Sequence, residues 1–342
     1  MGDEFPPDGT FELTELTFSV EGLSPELLSA YTLSGMERGK TGDGAIKWVF
    51  GNNENAFSVA RSDKKIVGIS SYIRSEMKFS TRRGFGFQAV DSYVVPEMRG
   101  QRLFTRLAET YAAHLRKNSA DLLWGFPNDN AAPAWFGKLG WTNHGQVPFL
   151  IKPLRAGYFL RKLHLGGDFP ISFGADQAIA RISSIGPWVD ELWNSFSADI
   201  QCATIRNQAF LDHRLFKAPQ AANYRVVVDD CHVDGALVAT LEAEKHGGKI
   251  AYVMEAFGGS SLRGVLTSEM ARLRGKGMEL ALAWAYPWSP NYGALRGCGF
   301  LPLPERLRPI RIWFGGAAIS DYAVPAMQRD SWYLSYLDSD TV

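Results

Sequence analysis

Between residues 44 and 155 the apolar positions change their period in a definite order. Ala56–Ala60 and Ile66–Arg74 carry the β-branched and aromatic content of strands, and the turn-forming Ser62-Asp63-Lys64 between them predicts a hairpin. Gly86–Val95 reads as a longer strand, with Gly84-Phe85-Gly86 before it read as a tight hairpin. Leu103, Phe104, Leu107, Ala108, Tyr111, Ala112 and Leu115 then recur at helical spacing, which predicts an amphipathic helix over 100–118. Arg116 and Lys117 sit at its C-terminal end, where the helix dipole favours cations. Leu122–Phe126 reads as a short buried strand, and Ala131–Leu139 as a short helix stopped by Gly140.

The same order recurs further along. The stretch 48–72 resembles 213–239, with Gly68 opposite Gly235, and 122–141 resembles 282–300, with Pro127 opposite Pro287 and Trp141 opposite Phe300. Landmarks in the same order at similar offsets point to a duplication. A chain of 342 residues is also longer than one core usually serves. The prediction is two domains of α/β composition and α+β type, 1–166 and 167–342, joined near Gly166-Gly167-Asp168.

Composition narrows the class of partner. With 46% hydrophobic and 21% charged residues the chain has ample material for packed cores. Lys+Arg and Asp+Glu are balanced at 36 each, so no global field draws it to nucleic acid or to a membrane, and any such binding has to be local. Cys202, Cys231 and Cys298 are widely spaced and contain no CxxC pair, which indicates neither a disulfide framework nor a zinc site and fits a reducing cytoplasm. His114, His144, His164, His213, His232 and His246 show no metal-ligand spacing, and no GxSxG nucleophile segment is present. The acidic N-terminus is unlike a signal peptide, and no apolar run approaches the length of a membrane span.

The chemistry concentrates in VDSYVVPEMRGQRLFTRL, residues 90–107, where a strand passes through Pro96 and a loop directly into the amphipathic helix. The first N–H groups of a helix lack intrahelical partners and form an anion site that the helix dipole strengthens. Arg99 and Arg102 add local positive charge. A diphosphate suits such a place; a plain helix start with solvated arginines is the alternative.

Val94-x-Pro96-x-x-Arg99-Gly100-Gln101-Arg102-Leu103-Phe104 resembles motif A of the GNAT superfamily of acyl-CoA N-acyltransferases, and Asn128–Trp141 is similar to its motif B. The resemblance covers most of 44–155 and, more loosely, 206–314. It implies tandem GNAT-like domains, each a mixed, mostly antiparallel central sheet flanked by helices. It further implies acetyl-CoA or another acyl-CoA as co-substrate, with no metal, held by Val94, Val95, Arg99, Gly100, Gln101, Arg102, Leu103, Phe104, Thr105 and Asn130. In the implied reaction a small-molecule amine attacks the thioester directly, so positioning and carbonyl polarisation dominate. Asp91, on the strand leading into the motif, is the candidate base, with Gln88 and Ser92 on the strand's opposite side by alternation. A carboxylate paired with a nearby arginine is the structural alternative for Asp91.

Two departures from the family pattern are visible. Arg102 and Phe104 stand where relatives carry small residues, and Phe136 stands where many carry a tyrosine acid. The counterpart of motif A in the second half, Phe257–Arg263, lacks the Pro-x-x-Arg-Gly feature and is expected to be degenerate. The tail Arg329–Asp340 is aromatic and acidic, which suits packing or contact with the acceptor. A Fem-like aminoacyl transferase and a non-catalytic acyl-CoA sensor are the competing readings, and an aminosugar is the first candidate acceptor.

Overall fold

In a computed structural model the strands Lys65–Phe79 and Arg82–Val94 form the long antiparallel hairpin that organises the first of two sheets. The structure describes residues 15–33, 43–51, 53, 56–171, 179–229, 235–245, 247–308 and 310–339; Cys231, His232, His246 and Asp340 lie outside them. The hairpin turns at Ser80-Thr81, with Ser80 in the left-handed region at φ 55°. Gly84 and Gly86 are therefore inside a strand and not in the turn predicted for them. They serve close approach: a Cβ on Gly86 would collide with Met77 Sδ and crowd Trp124 Nε1, and one on Gly84 would meet the Asp121 carboxylate.

The first sheet runs, in spatial order, Leu16–Glu21, Phe57–Ser62, Lys65–Phe79, Arg82–Val94, Leu122–Gly125, Trp313–Ala318 and Thr142–Gln146, with Cys202–Thr204 added beside the far end of Lys65–Phe79. Only Arg82–Val94 and Leu122–Gly125 are parallel, joined by the helix Leu103–Lys117. The second sheet runs Leu301–Pro302, Phe149–Pro153, Leu280–Trp284, Gly248–Gly258, Ala236–Lys245, Tyr224–Val228 and Ala180–Ile182. Its parallel pair is Gly248–Gly258 with Leu280–Trp284, joined by the helix Leu262–Gly275. Each sheet thus sets an antiparallel meander beside one parallel pair. The strand flanking that pair comes from the other half: Trp313–Ala318 enters the first sheet and Phe149–Pro153 the second.

Helix Leu103–Lys117 buries Leu103, Leu107, Ala108, Tyr111 and Leu115 against the first sheet, with the Tyr111 ring stacked on Tyr72 at 3.4 Å between centroids. The face predicted from its apolar spacing is the face it buries. A larger core fills the space between the sheets, where Trp124, Phe149, Trp193, Tyr252, Trp284 and Phe314 meet. The tail completes it: Trp332, Tyr333, Leu334, Tyr336 and Leu337 are each exposed by 2% or less. Cys202 and Cys298 are buried free thiols. Among the described residues no helix is long and apolar enough to cross a membrane, and no group of metal-ligating side chains assembles.

Candidate functional site

Arg82–Val94 and Leu122–Gly125 pair only from Gly86 opposite Leu122 to Ala89 opposite Gly125. Past that point the strands part, and a cleft of about 750 Å³ opens between them. Gln88–Tyr93 forms one wall and Gly125–Ala131 the other; Phe104, Trp135 and Trp141 line the interior, and Ile310–Ile312 stands at one side. Trp135 lies 4.1 Å from Trp141 and 5.2 Å from Phe104 between ring centroids, so this lining is a packed aromatic cluster. Asn130 lines the cleft too, and its N–H, with that of Ala131, is held by Asn128 Oδ1 at 3.1 and 3.0 Å.

The wall carrying Asp91 is bulged. Ser70 opposes Ser92 and Tyr72 opposes Ala89, so Val90 and Asp91 together stand against Ser71 alone. A bulge reverses the alternation beyond it. Gln88, opposite Ile73, shares a face with Tyr93, opposite Ile69, while Ser92 joins Ser70 and Tyr72 on the other face. The expected pairing of Gln88 with Ser92 on one side is therefore corrected: Gln88 shares its side with Asp91. There the Tyr31 hydroxyl donates to Asp91 Oδ2. Ser92 Oγ bonds Ser70 Oγ at 2.9 Å on the helix side.

The loop after the strand carries two residues in the left-handed region. Gly100 is at φ 81°, and Arg102 caps the helix at φ 61°, a left-handed conformation that glycine adopts more readily. The first main-chain bond into the helix is Arg106 N–H to Arg102 O at 3.0 Å, so the amides of Leu103, Phe104 and Thr105 precede the ladder and are left to an outside acceptor. Leu103 and Thr105 are buried. Arg99 and Gln101 are exposed; Arg99 Nε donates to Val94 O at 3.1 Å and Gln101 Nε2 to Glu97 O at 3.4 Å. Val95 N–H bonds Val67 O at 3.0 Å, so its main-chain groups face the neighbouring strand, and those of Val94 and Ser92 face the open side. Of the two valines, Val94 alone turns its backbone toward the cleft side, and its carbonyl already accepts from Arg99.

Phe136 is not part of the cleft lining. Its ring packs against Trp313, 6.4 Å between centroids, and over Gly315, where a Cβ would strike it. Trp135, its neighbour in the π-helical turn Pro133–Lys138, faces the cleft instead.

Gln88 links the cleft to the tail by donating from Nε2 to Asp338 O at 2.9 Å. The tail is held by a buried ion network. Arg206 Nε donates to Glu255 Oε2 at 2.8 Å, its NH1 to Thr204 O at 2.6 Å, and its NH2 to Ser335 Oγ at 3.1 Å and to Asp338 Oδ2. Burial opposes the guanidinium charge, but Asp338 and Glu255 outweigh it and raise the Arg206 pKa. Tyr333 donates to Glu255 Oε1, and Ser335 Oγ to Glu255 Oε2 at 2.8 Å. Glu255 itself lies at a bulge, where Met254 is the extra residue between Val253 and Glu255, the counterpart of the bulge at Asp91. In this second sheet the parallel pairing also ends early, at Val253 opposite Ala283. Here the buried carbonyl of Ala256, beyond the parallel pairing, is taken by Asn291 Nδ2 at 2.8 Å, which also reaches Tyr333 OH at 3.3 Å. The tail and Asn291 thus occupy the place that is open in the first sheet.

Solved structures share this architecture. A GCN5-related N-acetyltransferase from Anabaena variabilis aligns with a TM-score of 0.62 and 12% identity over 90% of this chain and 73% of that one. A GCN5-related N-acetyltransferase from Kribbella flavida gives 0.59 and 12% over 89% and 72%. N-myristoyltransferase from Saccharomyces cerevisiae, solved with bound myristoyl-CoA, gives 0.56 and 10% over 92% and 84%. At such identities the likeness establishes the fold: a mixed α/β chain with two helix-flanked sheets of GNAT type. No protein-family profile and no curated protein matches the sequence.

Proposed function

We propose that the chain is an acyl-CoA-dependent N-acyltransferase that works in the cleft of the first sheet on a small-molecule amine. The observation that carries the reading is the parting of two parallel strands directly beside a helix start with free amides and two left-handed loop residues. Such a place offers donors to a diphosphate at one end and an open strand edge to an extended chain at the other. Two observations support the fit: the amides of Leu103, Phe104 and Thr105 precede the helix ladder beside a loop with open space at Gly100, and the main-chain groups of Ser92 and Val94 face away from the neighbouring strand. Arg99, Gly100, Gln101, Arg102 and the helix amides would hold the diphosphate, Val94 the strand-like arm, and Asn130 the opposite wall.

In the reaction the amine nitrogen forms a bond to the thioester carbonyl carbon as the carbon–sulfur bond breaks. The proton leaving nitrogen goes to Asp91, whose orientation the Tyr31 hydroxyl fixes, and the departing thiolate takes a proton from water. Acetyl-CoA is the first acyl donor to test and an aminosugar the first acceptor. The matching strand orders and bulges of the two sheets support an origin by duplication, with 1–166 and 167–342 as the halves and the second cleft given over to structure.

Calorimetry with acetyl-CoA, paired with a free-thiol assay on pooled amines, tests the proposal. Gly100→Pro, which fixes a φ the loop does not use and removes a donor, should abolish binding. Undiminished binding in that variant removes the assignment of the loop, and binding without thiol release in any amine pool removes catalysis.

A further inference from the structure

Beyond the strand Phe149–Pro153, residues 156–169 form a loop whose ends are tied together. Ala156 N–H bonds Phe169 O at 2.9 Å, Gly157 N–H bonds Asp168 Oδ1 at 2.9 Å, and Arg155 Nε bonds Asp168 Oδ2 at 2.6 Å. This is an Ω-loop, closed at its neck and carried by its own short helix Gly157–Lys162. Residues 161–170 are all exposed, and the loop nonetheless presents Phe159, Leu163, Leu165 and Phe169 at 38, 67, 55 and 58% exposure. Large apolar side chains grouped on one projecting loop add nothing to the core and cost solubility, so a surface that covers them is the physical reason for their presence.

The charges around the loop select that surface. Arg161 reaches Glu279 at 2.7 Å and the tip of the adjoining hairpin at Gly247 O, 3.2 Å away. Arg155 and Arg161 are matched by Asp168 and Glu279, and Lys249 faces Glu244 across its hairpin. Lys162 and Lys245 form no ion pair among the described residues, leaving a local cationic surplus on a chain whose net charge is zero. A second copy meeting this patch about a two-fold axis would set surplus lysines against each other. An anionic bilayer takes both features at once, apolar side chains into the acyl boundary and lysines at the headgroups.

We propose that this loop docks the protein on an anionic membrane surface. The docking is independent of the acyl-transfer reading, since no loop residue lines the cleft. The test is co-sedimentation with vesicles of mixed phosphatidylglycerol and phosphatidylcholine, against phosphatidylcholine alone, at low ionic strength. The full chain should sediment with the anionic vesicles. Leu163→Ser combined with Phe169→Ser should cut the partition coefficient by about tenfold or more, from the apolar area withdrawn. Lys162→Glu with Lys245→Glu should cut it on anionic vesicles only. Both pairs are exposed, so the thermal midpoint should hold, which separates lost docking from lost folding. Three results overturn the proposal: no association with anionic vesicles, association untouched by the serine pair, or a concentration-dependent dimer that the serine pair dissolves while vesicles are ignored.

Discussion

Asp91 and Arg102 carry the sharpest expectations at the scale of single residues. Asp91→Asn keeps the shape beside Tyr31 and removes the charge that takes a proton, so turnover should fall by about 10² or more while acyl-CoA affinity is kept. A turnover assay beside calorimetry checks both, and an unchanged pH profile would take Asp91 out of the mechanism. Arg102 holds a conformation that costs an L-residue about 1 kcal/mol, so Arg102→Gly should leave stability equal or higher on thermal unfolding. If its guanidinium meets the diphosphate, the same variant should bind acyl-CoA more weakly by about 1–3 kcal/mol, as for a charge-assisted hydrogen bond. The two readouts move in opposite directions, which separates strain from charge.

Within elements, the tail and the strand Thr142–Gln146 show what burial does to charge. His144 is 4% exposed among Phe314 and Trp332, and burial pushes its pKa down to about 4. An unfolded chain protonates this histidine near its ordinary value of 6.5 while the folded chain does not. Folding stability should therefore be intact above about pH 6.5 and decline as the pH falls toward 4, by up to roughly 3 kcal/mol from this group. His144→Phe should flatten that decline in urea titrations at pH 7 and 5. The tail's anchor responds differently. Arg206→Met leaves Glu255 and Asp338 buried without their cation, and the loss should be about 3–5 kcal/mol on chemical unfolding.

Across the whole molecule the exchanged strands matter most. A chain cut at residue 166 carries Phe149–Pro153 without its partner Leu280–Trp284, and Leu122–Gly125 without Trp313–Ala318. It also lacks the tail that covers Trp124, whose ring meets Trp332 at 5.6 Å between centroids. Two open sheet edges and an uncovered apolar face predict that neither 1–166 nor 167–342 gives a cooperative thermal transition alone, and that co-expression of the two restores one. A single sharp transition in either half alone would show that its core is self-sufficient.

The elements and their order were set locally and are readable from the sequence. Helix Leu103–Lys117 follows from seven apolar positions on one face, and the strands on either side follow from β-branched runs bounded by turn residues. The amides ahead of the helix ladder after Arg99 were equally legible, because unpaired amides belong to any helix N-terminus. What the tertiary structure decided were the places where contact between distant residues overrides local pattern. Gly84 and Gly86 look like a turn, yet Asp121, Met77 and Trp124 require them inside a strand. The bulge at Val90-Asp91 leaves no mark in composition, although it determines which side chains share a face with the carboxylate. Phe136 faces Gly315 because of a strand some 180 residues on, a relation that periodicity does not contain. Period and propensity act over one turn or one strand; register, exchange of strands between sheets and the lining of the cleft are settled by packing over the whole chain.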